Sequence, residues 1–191
     1  TIRVTFSGTL APHVGGKDLI LWVISQLGVD GARYKALEFD GSAIESMSVE
    51  GRLTMANMAI EAGGKVGLFA VDAATLAYCK TAGRKNDKAL TPDAGAVYEQ
   101  HITKDVTGLE PQIACPHLPE NVRPVSEVKD VEVNQVIIGS CTNGRISDLR
   151  VAAAVLAGRK VKKGLRCIVL PATPSIWMQA LKEGLVETML E

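Results

Sequence analysis

The stretch that most constrains this chain runs from Val133 to Leu156, where a strand pattern passes into a helix pattern across a glycine-bracketed cysteine. Val133-Asn134-Gln135-Val136-Ile137-Ile138 is short and rich in β-branched residues, and reads as a buried strand. Ile146, Leu149, Val151, Ala154, Val155 and Leu156 then recur at helical spacing, predicting a helix over residues 147–157, with Ser147 or Asn143 as its cap. Cys141 stands in the turn between them. Ligands collect at that edge of open α/β sheets. The partial positive charge of a helix N-terminus favours a thiolate, the form that binds metal or attacks. Gly139, Ser140, Thr142 and Gly144 leave room for a bulky group beside the sulfur. A lone cysteine at a strand end also serves commonly as a small buried hydrophobe, so the turn alone leaves both readings open.

The rest of the chain repeats the alternation. Residues 1–10 alternate Ile2, Val4 and Phe6 with Arg3, Thr5 and Ser7, as a half-buried strand does. After a turn over 11–16, Leu19, Ile20, Val23, Ile24 and Leu27 share a helical face that Gly28 ends. A strand over 32–39 closes at Asp40-Gly41, a short helix covers 42–47, and a longer one covers 49–62 up to Gly63-Gly64. Residues 65–71 form an apolar strand, and Asp72 caps a helix over 73–81. Residues 85–100 are polar and turn-rich, with a single helical turn expected around Val97 and Tyr98, and 104–114 is further strand material. Pro116-His117-Leu118-Pro119, with Pro124 after it, reads as a linker. A strand over 166–170 and a helix over 175–190, broken at Gly184, complete the chain. This alternation predicts an α/β fold of three-layer α/β/α units with largely parallel sheet, one domain over 1–124 and the opening of another over 125–191.

Lys plus Arg equals Asp plus Glu at 21 each, so nothing suggests a nucleic-acid footprint or an electrostatic membrane anchor. No apolar run reaches the roughly eighteen residues that a membrane span requires. Four scattered cysteines without a Cys-x-x-Cys pair suit a reduced, cytoplasmic protein. The chain begins at Thr1 inside a strand pattern and stops at Glu191 inside a helix pattern, and so reads as a piece of a longer protein.

A second constellation is Asn57-Met58-Ala59-Ile60-Glu61. Asn57 and Glu61 are four residues apart and would share one face of a continuous helix. By themselves they read as a solvated polar face. His13 and His101, placed in a glycine-rich turn and after a polar helix end, read as solvated. Cys79 and Cys167 read as core residues, and Arg145 is placed either to meet an anionic substrate or to serve the structure.

The strings together resemble the aconitase family of iron–sulfur hydro-lyases. The likeness rests on Glu38-Phe39-Asp40-Gly41, Val49-Glu50-Gly51-Arg52, Asn57 to Glu61, Pro116 to Pro119 and Gly139 to Arg150. It implies that residues 1–124 are the family's middle α/β domain and that 125–191 begin its third, cluster-ligating domain. It implies Cys141 as a thiolate ligand of a [4Fe-4S] cluster, Asn57 as support for that cluster, and Glu61 as the group that hydrogen-bonds the water or hydroxyl on the open iron. It assigns His117 a structural role. The reaction implied is dehydration and rehydration of a small 2-hydroxy di-acid, with a small subunit or swivelling domain as partner. The family's Cys-Gly-Pro-Cys segment and its amino-terminal domain are missing from these residues, so the fragment alone is expected to hold no intact cluster and to be inactive. The other reading is a cluster-free α/β binding or interaction module with Cys141 as a structural or redox thiol.

Overall fold

The computed structural model describes residues 1–84 and 89–190 and divides into two compact units, Thr1–Lys129 and Asp130–Glu191. The first part of the turn-rich stretch expected over 85–100, residues 85–88, lies outside the described residues, as does Glu191. Among the described residues no helix is long and apolar enough to cross a membrane.

The first unit is built on β1 (Ile2–Ser7), whose alternation sends Ile2, Val4 and Phe6 into the core and Arg3, Thr5 and Ser7 to the opposite face. Complete burial of such side chains contributes about 1.5–3 kcal/mol each. α1 (Gly16–Leu27) follows, with its first turn closed by the Gly15 N–H donating to Asp18 Oδ2 at 2.8 Å. Then come β2 (Ala36–Asp40), the single turn α2 (Ser42–Glu45) and α3 (Val49–Met58), which is capped by Ser48 Oγ accepting the Gly51 N–H. α1 and α3 approach closely enough that a Cβ on Gly16 would run into the carbonyl of Gly51, so that contact requires glycine. β3 (Val66–Phe69), α4 (Ala73–Thr81) and β4 (Gln100–Asp105) follow. The sheet is parallel throughout, in the order β3-β2-β1-β4, with Ile2 opposite both Leu37 and Gln100. One core joins the β1 and β2 residues to Leu19, Ile20, Val23, Ile24, Met55 and Ala62.

Two local expectations change here. No helical turn forms at Val97 and Tyr98; the Tyr98 hydroxyl donates to Glu38 Oε1 at 2.8 Å while its ring lies under the Arg3 guanidinium. His101 follows no helix either; it lies in β4, where Nε2 is 2.8 Å from Thr5 Oγ1. β4 was hard to find because it is an edge strand whose apolar content is one residue, Ile102.

The proline-rich stretch read as a linker is instead the turn of an antiparallel hairpin, β5 (Gln112–Ala114) with β6 (Val122–Pro124). Two carboxylates pin that hairpin to the α1 region. The Gln112 N–H donates to Asp18 Oδ1 and the Val29 N–H donates to Glu120 Oε2, both at 2.7 Å.

Polar contacts also hold α4, which buries none of its residues. Arg52, only 4% exposed, reaches from α3 to Asp72 Oδ2 at 2.7 Å and donates to the Glu45 carbonyl and Thr75 Oγ1. Asp72 caps α4 by accepting the Thr75 N–H at 2.9 Å. The hydrogen bond from Arg52, then that from the Thr75 backbone, hold the Asp72 carboxyl well below the usual carboxylate range. A depressed carboxyl stabilises the fold above its ordinary pKa and loses that contribution as pH falls toward the folded-state value. Asp72→Asn is therefore expected to cost about 1–2 kcal/mol at neutral pH, a hydrogen bond to a charged group discounted for partial exposure. Urea melts should show the wild type losing this advantage over the variant as the pH drops below about 4. Equal pH dependence of the two proteins would count against the clamp.

The second unit contains β7 (Gln135–Ile138), α5 (Ile146–Leu156), β8 (Arg166–Val169), α6 (Pro174–Lys182) and α7 (Leu185–Leu190). β7 and β8 pair in parallel with Gln135 opposite Arg166. Gly184 separates α6 from α7 as its place in the sequence predicts. The buried apolar residues here, among the described residues, are few: Leu149, Ala153, Ala180 and Val186. β7 is consequently not the buried strand expected, since Ile137 is 54% exposed, and Cys167 in β8 is half-buried rather than core.

Candidate functional site

In the second unit the chain leaves β7 through Gly139 and enters α5 through Gly144, both at positive φ. A Cβ on either would meet the carbonyl oxygen of Leu170, the residue just after β8. Leu170 is itself held by its N–H donating to the Ile138 carbonyl at 2.8 Å, so the two strand ends and the loop form one framework. Inside the loop the Ser140 N–H donates to the Asn143 carbonyl at 3.2 Å, and the Ser140 and Thr142 hydroxyls are 3.1 Å apart. Thr142 is buried while Cys141 is exposed. Thr142 is turned inward and the thiol is presented to solvent, which removes the buried-hydrophobe reading for Cys141.

Neither Ser147 nor Asn143 caps α5. Arg145 occupies the cap position, and the capping acceptor is the carboxylate of Asp148 three residues on. Asp148 Oδ2 accepts the Gly144 and Arg145 N–H groups at 2.9 Å each, and Oδ1 accepts Asn143 Nδ2 at 3.2 Å. Arg145 turns its guanidinium back onto the Thr142 carbonyl at 2.8 Å, a structural use of that side chain. Asp148 was missed because Arg at the cap position hides the Ser/Thr-x-x-Asp/Glu signature. An acidic residue in the first turn of a helix was the available signal.

In the first unit Asn57 is the penultimate residue of α3, and Glu61 falls in a separate 3-10 turn, Ala59–Ala62. The helix expected over 49–62 thus tightens before Glu61. Winding at about three residues per turn carries Glu61 roughly 100° around the axis from Asn57, against about 40° in an unbroken α-helix. Both side chains are exposed, and among the described residues neither has a side-chain hydrogen-bond partner. Met58, Ala59 and Ala62, buried between and beside them, fix the backbone that carries them. The structure therefore presents two separate elements, an exposed Asn57/Glu61 pair in one unit and an exposed thiol on a preformed loop in the other.

The chain belongs to the aconitase family (aconitate hydratase), whose family model matches residues 1–191. Its relatives carry a more particular name. It is 68% identical over 191 residues to the 3-isopropylmalate dehydratase large subunit of Nitratidesulfovibrio vulgaris strain Miyazaki F, and 53% identical over 190 residues to that of Heliobacterium modesticaldum. The matched part is all of this chain and 46% and 45% of those two relatives, so the chain spans about half the length of the curated relatives it matches.

Proposed function

We propose that this chain is part of the catalytic large subunit of an iron–sulfur hydro-lyase that converts 2-isopropylmalate to 3-isopropylmalate, a step of leucine biosynthesis in the reducing cytoplasm. The observation that carries the reading is the exposed Cys141 on a loop braced by Leu170 and Asp148, in a chain so similar to large subunits of that name.

The cofactor implied is a [4Fe-4S] cluster, which needs three or four thiolates. Among the described residues no group of three or more His, Cys, Asp or Glu side chains gathers to hold a metal. Cys79 lies in α4, Cys115 follows β5 and Cys167 is in β8, each half-buried. The residues present thus fit one corner of the cluster, supplied by Cys141, and the remaining thiolates come from elsewhere in the polypeptide. In that assembly the cluster supplies a Lewis-acidic iron for the hydroxyl and a carboxylate of the substrate. Glu61, exposed and with its carboxylate uncommitted, accepts a hydrogen bond from the departing or returning water, and Asn57 orients the cluster from outside its ligand set. A small subunit supplies the base that takes the proton alpha to a carboxylate and completes the pocket for the hydrophobic arm.

The test is the full-length large subunit, reconstituted anaerobically with iron and sulfide and mixed with its small subunit. Turnover of 2-isopropylmalate in preference to homocitrate or dimethylmalate supports the reading. A preference for either of the others reassigns the substrate to a homoaconitase or dimethylmalate dehydratase. The 191-residue chain alone is expected to bind no intact cluster and to show no turnover. A protein that takes up no cluster at full length would be the cluster-free α/β module instead.

A further inference from the structure

The hydrogen bonds around Asp148 assign it a role beyond capping a helix. We propose that Asp148 is the positioning residue for the Cys141 loop, holding the backbone that presents the thiol. The inference rests on the reading of Cys141 as a cluster ligand.

Helix N-termini are usually served by a residue at the cap position itself, which satisfies one or two of the free N–H groups. Here the cap position is Arg145, and the one carboxylate of Asp148 gathers three donors that lie before or at it: Asn143 Nδ2, the Gly144 N–H and the Arg145 N–H. Two of the three belong to the loop rather than the helix. They follow Cys141 by two and three residues, so the carboxylate sets the direction in which the chain leaves the cysteine. Arg145 braces the same segment from another side through the Thr142 carbonyl, and Gly144 is pressed against the Leu170 carbonyl, where no other residue fits. Asp148 is the anionic member of this frame, and hydrogen bonds to a charged acceptor are roughly twice as strong as those between neutral groups. A metal ligand held in this way loses less freedom on coordination, and groups outside the ligand set that orient a ligand typically alter metal affinity by about 10–100-fold.

The experiment compares reconstituted full-length large subunits carrying Asp148→Asn, Thr173→Ala and Cys141→Ser with the wild type. Cluster loss to a chelator is followed by visible absorbance, and the three-iron breakdown product by EPR. Asparagine keeps one acceptor oxygen but loses the charge and turns N–H donors toward donors. Thr173→Ala removes a cap of the same kind in the same unit, the Thr173 Oγ1 that accepts the Ile176 N–H, and leaves in place the Ala172 N–H that donates to the Gly144 carbonyl, and so controls for simple destabilisation. Asp148→Asn is expected to lose its cluster about tenfold faster than wild type or more, and Thr173→Ala to lose it at the wild-type rate. If Asp148→Asn and Thr173→Ala lose the cluster at the same rate, Asp148 is only a cap and the proposal falls while the ligand reading stands. If Cys141→Ser retains a wild-type cluster, the ligand reading falls and takes the proposal with it. Should Asp148→Asn give no cooperative melt, Asp148→Glu replaces it with the same expectation, since it keeps the charge but displaces the oxygens.

Discussion

Cys141→Ser in the reconstituted full-length large subunit is expected to abolish the [4Fe-4S] cluster, with loss of its visible absorbance and of all turnover. Serine preserves the size and exposure of the side chain, so the loop itself should persist. Its anchors are backbone and neighbouring groups: Leu170 against Gly139 and Gly144, Asp148 on Gly144 and Arg145, and Ser140 on Asn143. What disappears is one soft thiolate among the few that a cluster has, and the alkoxide that replaces it is a poor match for these irons. The thermal melt of the metal-free variant should therefore overlay that of the metal-free wild type while the spectra diverge completely. A variant with an unchanged spectrum would remove Cys141 from the ligand set.

Phe39→Ala is expected to be the most damaging single truncation in the first unit, at about 3–5 kcal/mol. Phe39 is buried on β2, its ring stacks on Phe69 with centroids 5.1 Å apart, and its edge packs beside Gly67 of β3. Removing it leaves a void between two strands that are hydrogen-bonded to each other and cannot close over it. Against a total stability of about 5–15 kcal/mol, that loss is a large fraction. Urea unfolding of the 191-residue chain in a Trp177→Phe background isolates Trp22, which meets Phe6 edge-on at 5.9 Å and so reports on this core. Val66→Ala in β3 supplies the contrast within the same unit. Val66 is 42% exposed, so its truncation should cost under about 1 kcal/mol. A Phe39→Ala penalty as small as that would mean that the sheet does not pack as described.

How much of this was legible beforehand depended on whether the determining interaction was local. β1 and α1 were readable because each repeats its apolar residues at one period, and because Gly28 ends α1 by adopting positive φ, as Gly63 ends the 3-10 turn that follows α3. The candidate site was readable as strings, Gly139 to Asp148 and Asn57 to Glu61, because turn glycines and polar pairs carry local signatures. β4 was not, since an edge strand needs hydrogen bonds from one neighbour more than it needs apolar residues, and its partner β1 is almost a hundred residues away. The hairpin at Pro116–Pro119 was mistaken for a linker for a similar reason. Prolines mark where a chain turns, while the carboxylates that pin this turn, Asp18 and Glu120, are separated from their donors by 94 and 91 residues.

The sequence by itself determined most of the alternation of strands and helices, the largely parallel α/β class and the family. Periodicity, turn residues and short motifs are properties of neighbours in the chain. Only the tertiary structure decided that the helix tightens before Glu61, that Asp148 rather than Ser147 or Asn143 organises the Cys141 loop, and that Arg145 is spent on the Thr142 carbonyl. Those outcomes depend on which of several competing donors and acceptors reaches a partner first, and in a folded chain that is settled by the backbone framework around them.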